Sequence, residues 1–168
     1  MTLSIYDASI PVFNGMLRNL AAILKKGEAS AEARKIDPAV LIAGRLAPDM
    51  APLSRQIQIA SDAAKGAGAR LAGAETPSFP DTETTFADLF DRIDKTIAYL
   101  DGLDPKAFEG VETRPITLKL PSGEMILTGQ AFLLNFAMPN FYFHVTTAYD
   151  ILRHNGVEIG KRDFLGAP

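Results

Sequence analysis

Leu3, Tyr6, Ile10, Phe13, Leu17, Leu20 and Leu24 follow one another at alternating steps of three and four residues. That spacing draws a single apolar stripe along a helix, and a stripe of this length must be covered by other helices. Pro11 lies inside the pattern. Either the regular helix starts near Ser9 with Pro11 in its first turn, or a longer helix kinks there. Gly27 is the expected stop. The run Ala29 to Leu46 reads as a connector in which Asp37-Pro38 can open a short helix through Val40, Leu41 and Leu46.

A second long helix is predicted from Pro52, with its stripe at Leu53, Ile57, Ala60, Ala64, Gly68 and Leu71. Its small residues either let a neighbouring helix approach closely or leave space inside, and spacing alone does not separate the two. A loop with Pro77 and Pro80 follows. Thr85 then caps a third helix with Asp88 in capping-box position, and the stripe runs Phe86, Leu89, Phe90, Ile93, Ile97, Leu100. Asp88, Asp91, Arg92 and Lys95 form its expected solvated face.

The period then changes. Ile116, Leu118 and Leu120 alternate with Thr117 and Lys119, as in a half-buried strand. Pro121-Ser122-Gly123 is a turn, and Glu124 to Leu127 pair back as a hairpin. A lone hairpin is marginal in water, so it must lie on the helices or on a partner chain. A fourth helix runs from an N-cap at Thr128 to about His154, where Asn155-Gly156 stops it. It is apolar on nearly every side between Phe132 and Val145, which predicts burial by the bundle and by a second subunit. Pro139 should kink it and free the Asn135 carbonyl. Phe164 and Leu165 in the tail are expected to dock. The expected fold is therefore mainly all-α: a single-domain four-helix bundle over residues 1–168, with a small β-hairpin before the last helix.

Composition narrows the chemistry. There is no cysteine, hence no disulfide, no thiolate ligand and no cysteine nucleophile. Two histidines exclude a three-imidazole site within one chain. A net charge of −3 argues against a nucleic-acid partner. No run of about 18 apolar residues occurs, so no membrane span is expected, and the N-terminus does not read as a signal peptide. A cytoplasmic location is the expectation. Phosphate-loop and nucleophile-elbow motifs are absent.

His144 is the residue to single out. It shares a stripe with Ala137, Phe141, Ala148 and Ile151, so it should face the interior. There it is a buried, hydrogen-bonded imidazole, an acid–base or ligand-binding group, or a metal ligand. His154 is about 15 Å further along the helix and cannot share an ion with it. Gln56 sits on the edge of the second helix's stripe, while Arg55 and Gln58 point elsewhere. Asp49 lies at the entry to that helix, four residues from Arg45, with which it can pair. Asn140 precedes His144 by one turn, and Tyr142 offers a hydroxyl in an aromatic block. The candidate ligand-binding set is His144, Gln56, Asp49, Asn140 and Tyr142. No cofactor is predicted, and His144 is the only plausible metal ligand.

RLAPDMAPLSRQIQIASDAAKGAGARLAG (Arg45 to Gly73) and NFYFHVTTAYDILRHNGVEIGKRDF (Asn140 to Phe164) resemble the signatures of one uncharacterised bacterial family in the DinB/YfiT-like superfamily. The resemblance covers essentially the whole chain and implies a four-helix bundle, often a homodimer, with an internal site. Members of the superfamily include metal-dependent thiol S-transferases and a maleylpyruvate isomerase. Their site has one histidine on the second helix and two, four apart, on the fourth. Here His144 matches one fourth-helix position, Asn140 and Ala148 stand four residues to either side, and the second helix has no histidine. Three functions follow as expectations: a small-molecule-binding bundle around His144, a divalent-metal transferase or isomerase with a depleted ligand set, or a dimeric interaction protein.

Overall fold

A computed structural model describes residues 3–120 and 123–166, apart from the Leu120 side chain. Its helices are α1 (Ile10–Ala33), α2 (Pro38–Ile42), α3 (Leu53–Ala72) and α4 (Phe86–Asp101), then α5 (Gly129–Phe132), α6 (Met138–His154) and α7 (Lys161–Leu165). Strands β1 (Pro115–Leu120) and β2 (Gly123–Thr128) form the hairpin between α4 and α5. α3 packs against both α4 and α6, and α1 packs against α4, α6 and α7, so α1, α3, α4 and α6 enclose the core. Phe13, Leu17, Leu20, Leu24, Leu53, Ile57, Leu89, Ile93, Phe141 and Val145 are buried within it.

The first stripe starts α1 late and ends it late. Pro11 takes the first turn, where its missing N–H costs nothing, and Leu3 is left exposed ahead of the helix. Gly27 does not stop α1. A Cβ there would meet the Leu152 side chain at 3.0 Å, so this glycine serves close packing of α1 and α6. The helix continues to Ala33, with Ala31 buried. Asp37 caps α2, and Thr85 and Asp88 form the reciprocal capping box of α4, both as their sequences predict.

β1 and β2 pair antiparallel, Ile116 with Leu127 and Leu118 with Met125. Ile116 and Leu118 face the helices and are buried, while Thr117 and Lys119 are exposed. Pro121 and Ser122 of the expected turn lie outside the described residues. Gly129, at the start of α5, lies so close to the Val111 carbonyl that a Cβ would overlap it at 2.1 Å. Only glycine fits that junction, and it seats the hairpin on the helices.

The fourth predicted helix opens on a Thr128 cap but is not continuous α-helix. Leu133–Ala137 form a π turn between α5 and α6, and the Met138 N–H reaches back five residues to the Leu133 carbonyl. Pro139 has no N–H to give the preceding turn, and the wider turn takes the place of a simple kink. Leu134 and Phe143 are exposed, so the chain itself does not cover every side of this apolar segment. In the tail Phe164 docks edge-on against Tyr149 at 5.9 Å, with Lys26 bonded to Asp163 at 2.6 Å, whereas Leu165 stays exposed. No helix among the described residues is long and apolar enough to cross a membrane.

Candidate functional site

α3 and α6 bring two of the predicted residues together. Gln56 sits three residues beyond Leu53 and shares its inward face, and it is 1% exposed. His144 lies between buried Phe141 and Val145 on α6 and is half-buried. Their side chains meet at 2.7 Å, Gln56 Oε1 to His144 Nδ1. The Gln56 amide nitrogen donates to the Ala51 carbonyl at 3.0 Å, which turns Oε1 toward the imidazole. A carbonyl oxygen only accepts, so Nδ1 carries the proton and Nε2 keeps its lone pair. Nε2 has no protein partner among the described residues. Burial first, and then the positive charge of Arg55, hold the His144 pKa below its ordinary 6.5. The imidazole is therefore neutral near pH 7, with one nitrogen tethered and the other a base.

About one helical turn from this pair, and lined by neither Gln56 nor His144, is a cavity of about 230 Å³. Ile59, Ala63 and Ala67 of α3 form one wall, and Phe136, Ala137 and Asn140 form the opposite one. Leu118 and Phe132 close the end toward the hairpin, and Asp62, Arg70 and Lys119 supply the polar edge. The lining runs from Ile59 and Asn140, about one turn from the Gln56–His144 contact, to Arg70 and the hairpin residues Leu118 and Lys119. Asn140, one turn or about 6 Å before His144, lines the cavity itself.

Asp49 and Tyr142 are not part of this arrangement. Asp49 is exposed in the loop before α3, and Arg45 donates to the Met50 carbonyl instead of pairing with it. Tyr142 stands two residues from His144, about 200° round the helix, and packs against Phe141. Burial raises its phenol pKa.

One cluster was not apparent from the sequence. Arg92, expected on a solvated face, is 2% exposed and binds carboxylates from two directions. Its guanidinium reaches Asp62 of α3 at 2.9 Å, and Glu83 at 2.9 Å and Asp81 at 3.0 Å in the loop before α4. Lys65 adds a second cation on Asp62 at 2.7 Å, and the Phe79 ring lies against both. Arg55 pairs with Asp81, and Gln58 donates to Glu83 at 2.9 Å, so these two side chains turn to the loop and away from His144. Burial opposes charge on Glu83, but Arg92 and Gln58 outweigh it and lower its pKa. The signal was present: Leu89, Arg92, Ile93 and Thr96 fall at helical core spacing, and Thr96 is buried against Ser61 at 2.6 Å.

The donor set does not fit the three-histidine metal centre of the wider superfamily. Among the described residues no group of three or more His, Asp or Glu side chains is placed to hold a metal ion; Asp62, Asp81 and Glu83 surround a guanidinium instead. The imidazole nitrogen that faces α3 is already bonded to a neutral amide.

A family model described as a domain of unknown function, DUF1993, matches residues 5–165. The chain belongs to this family. A crystal structure of a DinB family member protein from Shewanella denitrificans is 47% identical to it, with a TM-score of 0.91. That similarity covers 98% of this chain and 93% of the other. No curated protein matches. DUF1993 here thus has a DinB-like helical fold with a small β-hairpin, and both segments quoted from the sequence fall within the matched region.

Two outcomes are expected. Arg92→Ala should lower the unfolding free energy by about 2–3 kcal/mol in urea titrations, less than for a wholly buried pair because Asp62 and Asp81 are 41% and 40% exposed. A loss within error of zero would show the cluster to be ornamental. Second, the His144 imidazole should titrate below 6.5 by NMR, and Arg55→Gln should move it upward. Because the folded value is lowered, the unfolded chain takes up this proton first as pH falls. Its contribution to stability is complete above 6.5 and declines on acidification. A His144 midpoint above 6.5 would contradict this account.

Proposed function

We propose that this DUF1993 chain binds a small organic molecule in the cavity between α3 and the α5–α6 segment, with the Gln56–His144 pair at one end. The observation that carries the reading is an open space of about 230 Å³ with apolar walls, whose lining residue Asn140 stands one helical turn from the neutral His144 imidazole. Binding sites for small molecules combine apolar walls with a few oriented polar groups, and this groove has both. Its volume is below the range for drug-sized ligands, which favours a compact molecule. His144 Nε2 is suited to accept a hydrogen bond or a proton from such a molecule. A filled, purely structural interior is less well supported, because the cavity walls do not meet. A metal-dependent transferase has less support still, for want of a donor group placed to hold a metal among the described residues.

2-Naphthamide, a neutral planar probe, tests this by titration followed in amide and imidazole NMR spectra. Saturable shifts are expected around Ala63, Ala67 and Asn140 and at His144, with Kd on the order of 1 mM or tighter. Ala63→Leu, which fills the groove from a half-buried position, should weaken binding about tenfold while leaving the circular dichroism spectrum unchanged. Ala63→Met is the alternative if that variant misfolds. Shifts that do not saturate, or binding indifferent to filling the groove, would sink the proposal.

A further inference from the structure

The rim of this cavity has an unbalanced charge. Asp62, its one carboxylate, is already held by Lys65 and Arg92. Around it, Asp62, Asp81 and Glu83 are matched by Arg55, Lys65 and Arg92, three charges against three. That network is neutral as a whole and presents little negative potential to the groove. Arg70 and Lys119 also line the cavity, from α3 and β1, and neither has a carboxylate within 4.0 Å among the described residues.

Local structure does not account for both cations. Arg70 lies in the last turn of α3, where a cation complements the helix dipole, and one of its nitrogens donates to the Gly66 carbonyl at 2.8 Å. Its remaining donors are uncommitted. Lys119 stands opposite Glu124 in the ladder, yet the two make no ion pair. Arg114 brings a third positive charge to the same end, donating to the carbonyls of Arg70 and Leu71. The hairpin thus adds cations to the end of a helix that already ends in one, above apolar walls formed by Ala63, Leu118, Phe132 and Phe136.

From this charge distribution we infer that the ligand is a small amphipathic anion: an apolar ring or chain in the groove with one acidic head group held between Arg70 and Lys119. A guanidinium and an ammonium at this rim, both exposed, give charge-assisted hydrogen bonds that a neutral head group does not make. The inference rests on the cavity being a ligand site, and it assigns the ligand's class and its orientation. The acidic end points to the hairpin and the apolar body toward Asn140 and His144.

The test uses matched probes on the intact chain: 2-naphthoate, 2-naphthyl phosphate and the neutral 2-naphthamide, titrated at low salt by NMR. At least one anion should bind about tenfold more tightly than the amide, and whichever binds more tightly names the head group. Arg70→Gln with Lys119→Gln should abolish that preference and leave the amide affinity within twofold; Lys119→Gln alone, on an exposed strand position, should remove part of it if the double variant is unstable. Equal affinities for anions and amide in the wild type, or a preference that survives the double variant, would overturn the inference while leaving the cavity intact. If none of the probes binds, or if Ala63→Leu leaves all of them unaffected, the cavity itself fails as a ligand site.

Discussion

α3 must serve three neighbours at once, and its small side chains make this possible. Along one face, Gly68 admits Leu100 and Leu103, whose methyl groups would lie within 3.0 Å of a Cβ at that position. Ala60 and Ala64 on the same side are fully buried, so α4 and the core close tightly against the helix. Another face carries Ala63 and Ala67 toward α6, and there the same smallness leaves an opening. Tight contact on one side and space on the other come from one run of alanines and glycines. The difference lies in what faces them: branched Leu100 and Leu103 reach in on one side, while the stacked rings of Phe132 and Phe136 line the other.

Electrostatics fixes the rest of the site to this helix. Arg92 crosses from α4 to Asp62 of α3 and at the same time grips the loop before α4 through Asp81 and Glu83. The loop in turn engages Arg55, and the charge of Arg55 helps keep His144 neutral. A buried ion cluster of this kind is costly to desolvate and gives little net stability. What it supplies here is placement: it neutralises Asp62 at the edge of the cavity and restrains the one cation that acts on the imidazole. The unbalanced cations at the hairpin end are left as the dominant charges on the groove.

Much of the fold was legible because it depends on periodicity and caps. The stripe of α1, the Thr85–Asp88 capping box, the alternation of Ile116 and Leu118 and the Thr128 cap all report local physics, and the structure follows them. Gly27 misled because helix-breaking propensity is weak beside the packing of Leu152 against it. At Pro139 the missing N–H was plain, but its accommodation as a π turn depends on neighbours the sequence does not reveal. Helical phase alone sets Gln56 on the inward side of α3 and His144 and Asn140 on one side of α6, which is where they lie. The Tyr142 hydroxyl is out of phase with that face, and Asp49 carries its charge in the exposed loop before α3. Arg92 reads as a solvated residue by type, yet its phase sets it with Leu89 and Thr96, and it is buried with them. In this chain, helical phase was the better guide than residue class.

The most direct test of the groove is a set of intermolecular nuclear Overhauser contacts between bound 2-naphthamide and alanine methyl groups in ¹³C-methyl-labelled protein. Contacts to Ala63 and Ala67, with none to the fully buried Ala60 and Ala64 that do not line the cavity, are the predicted result. Contacts to Ala29 and Ala33 instead, beside the separate cleft near Arg34 and Gly156, would place the ligand elsewhere and contradict the central claim.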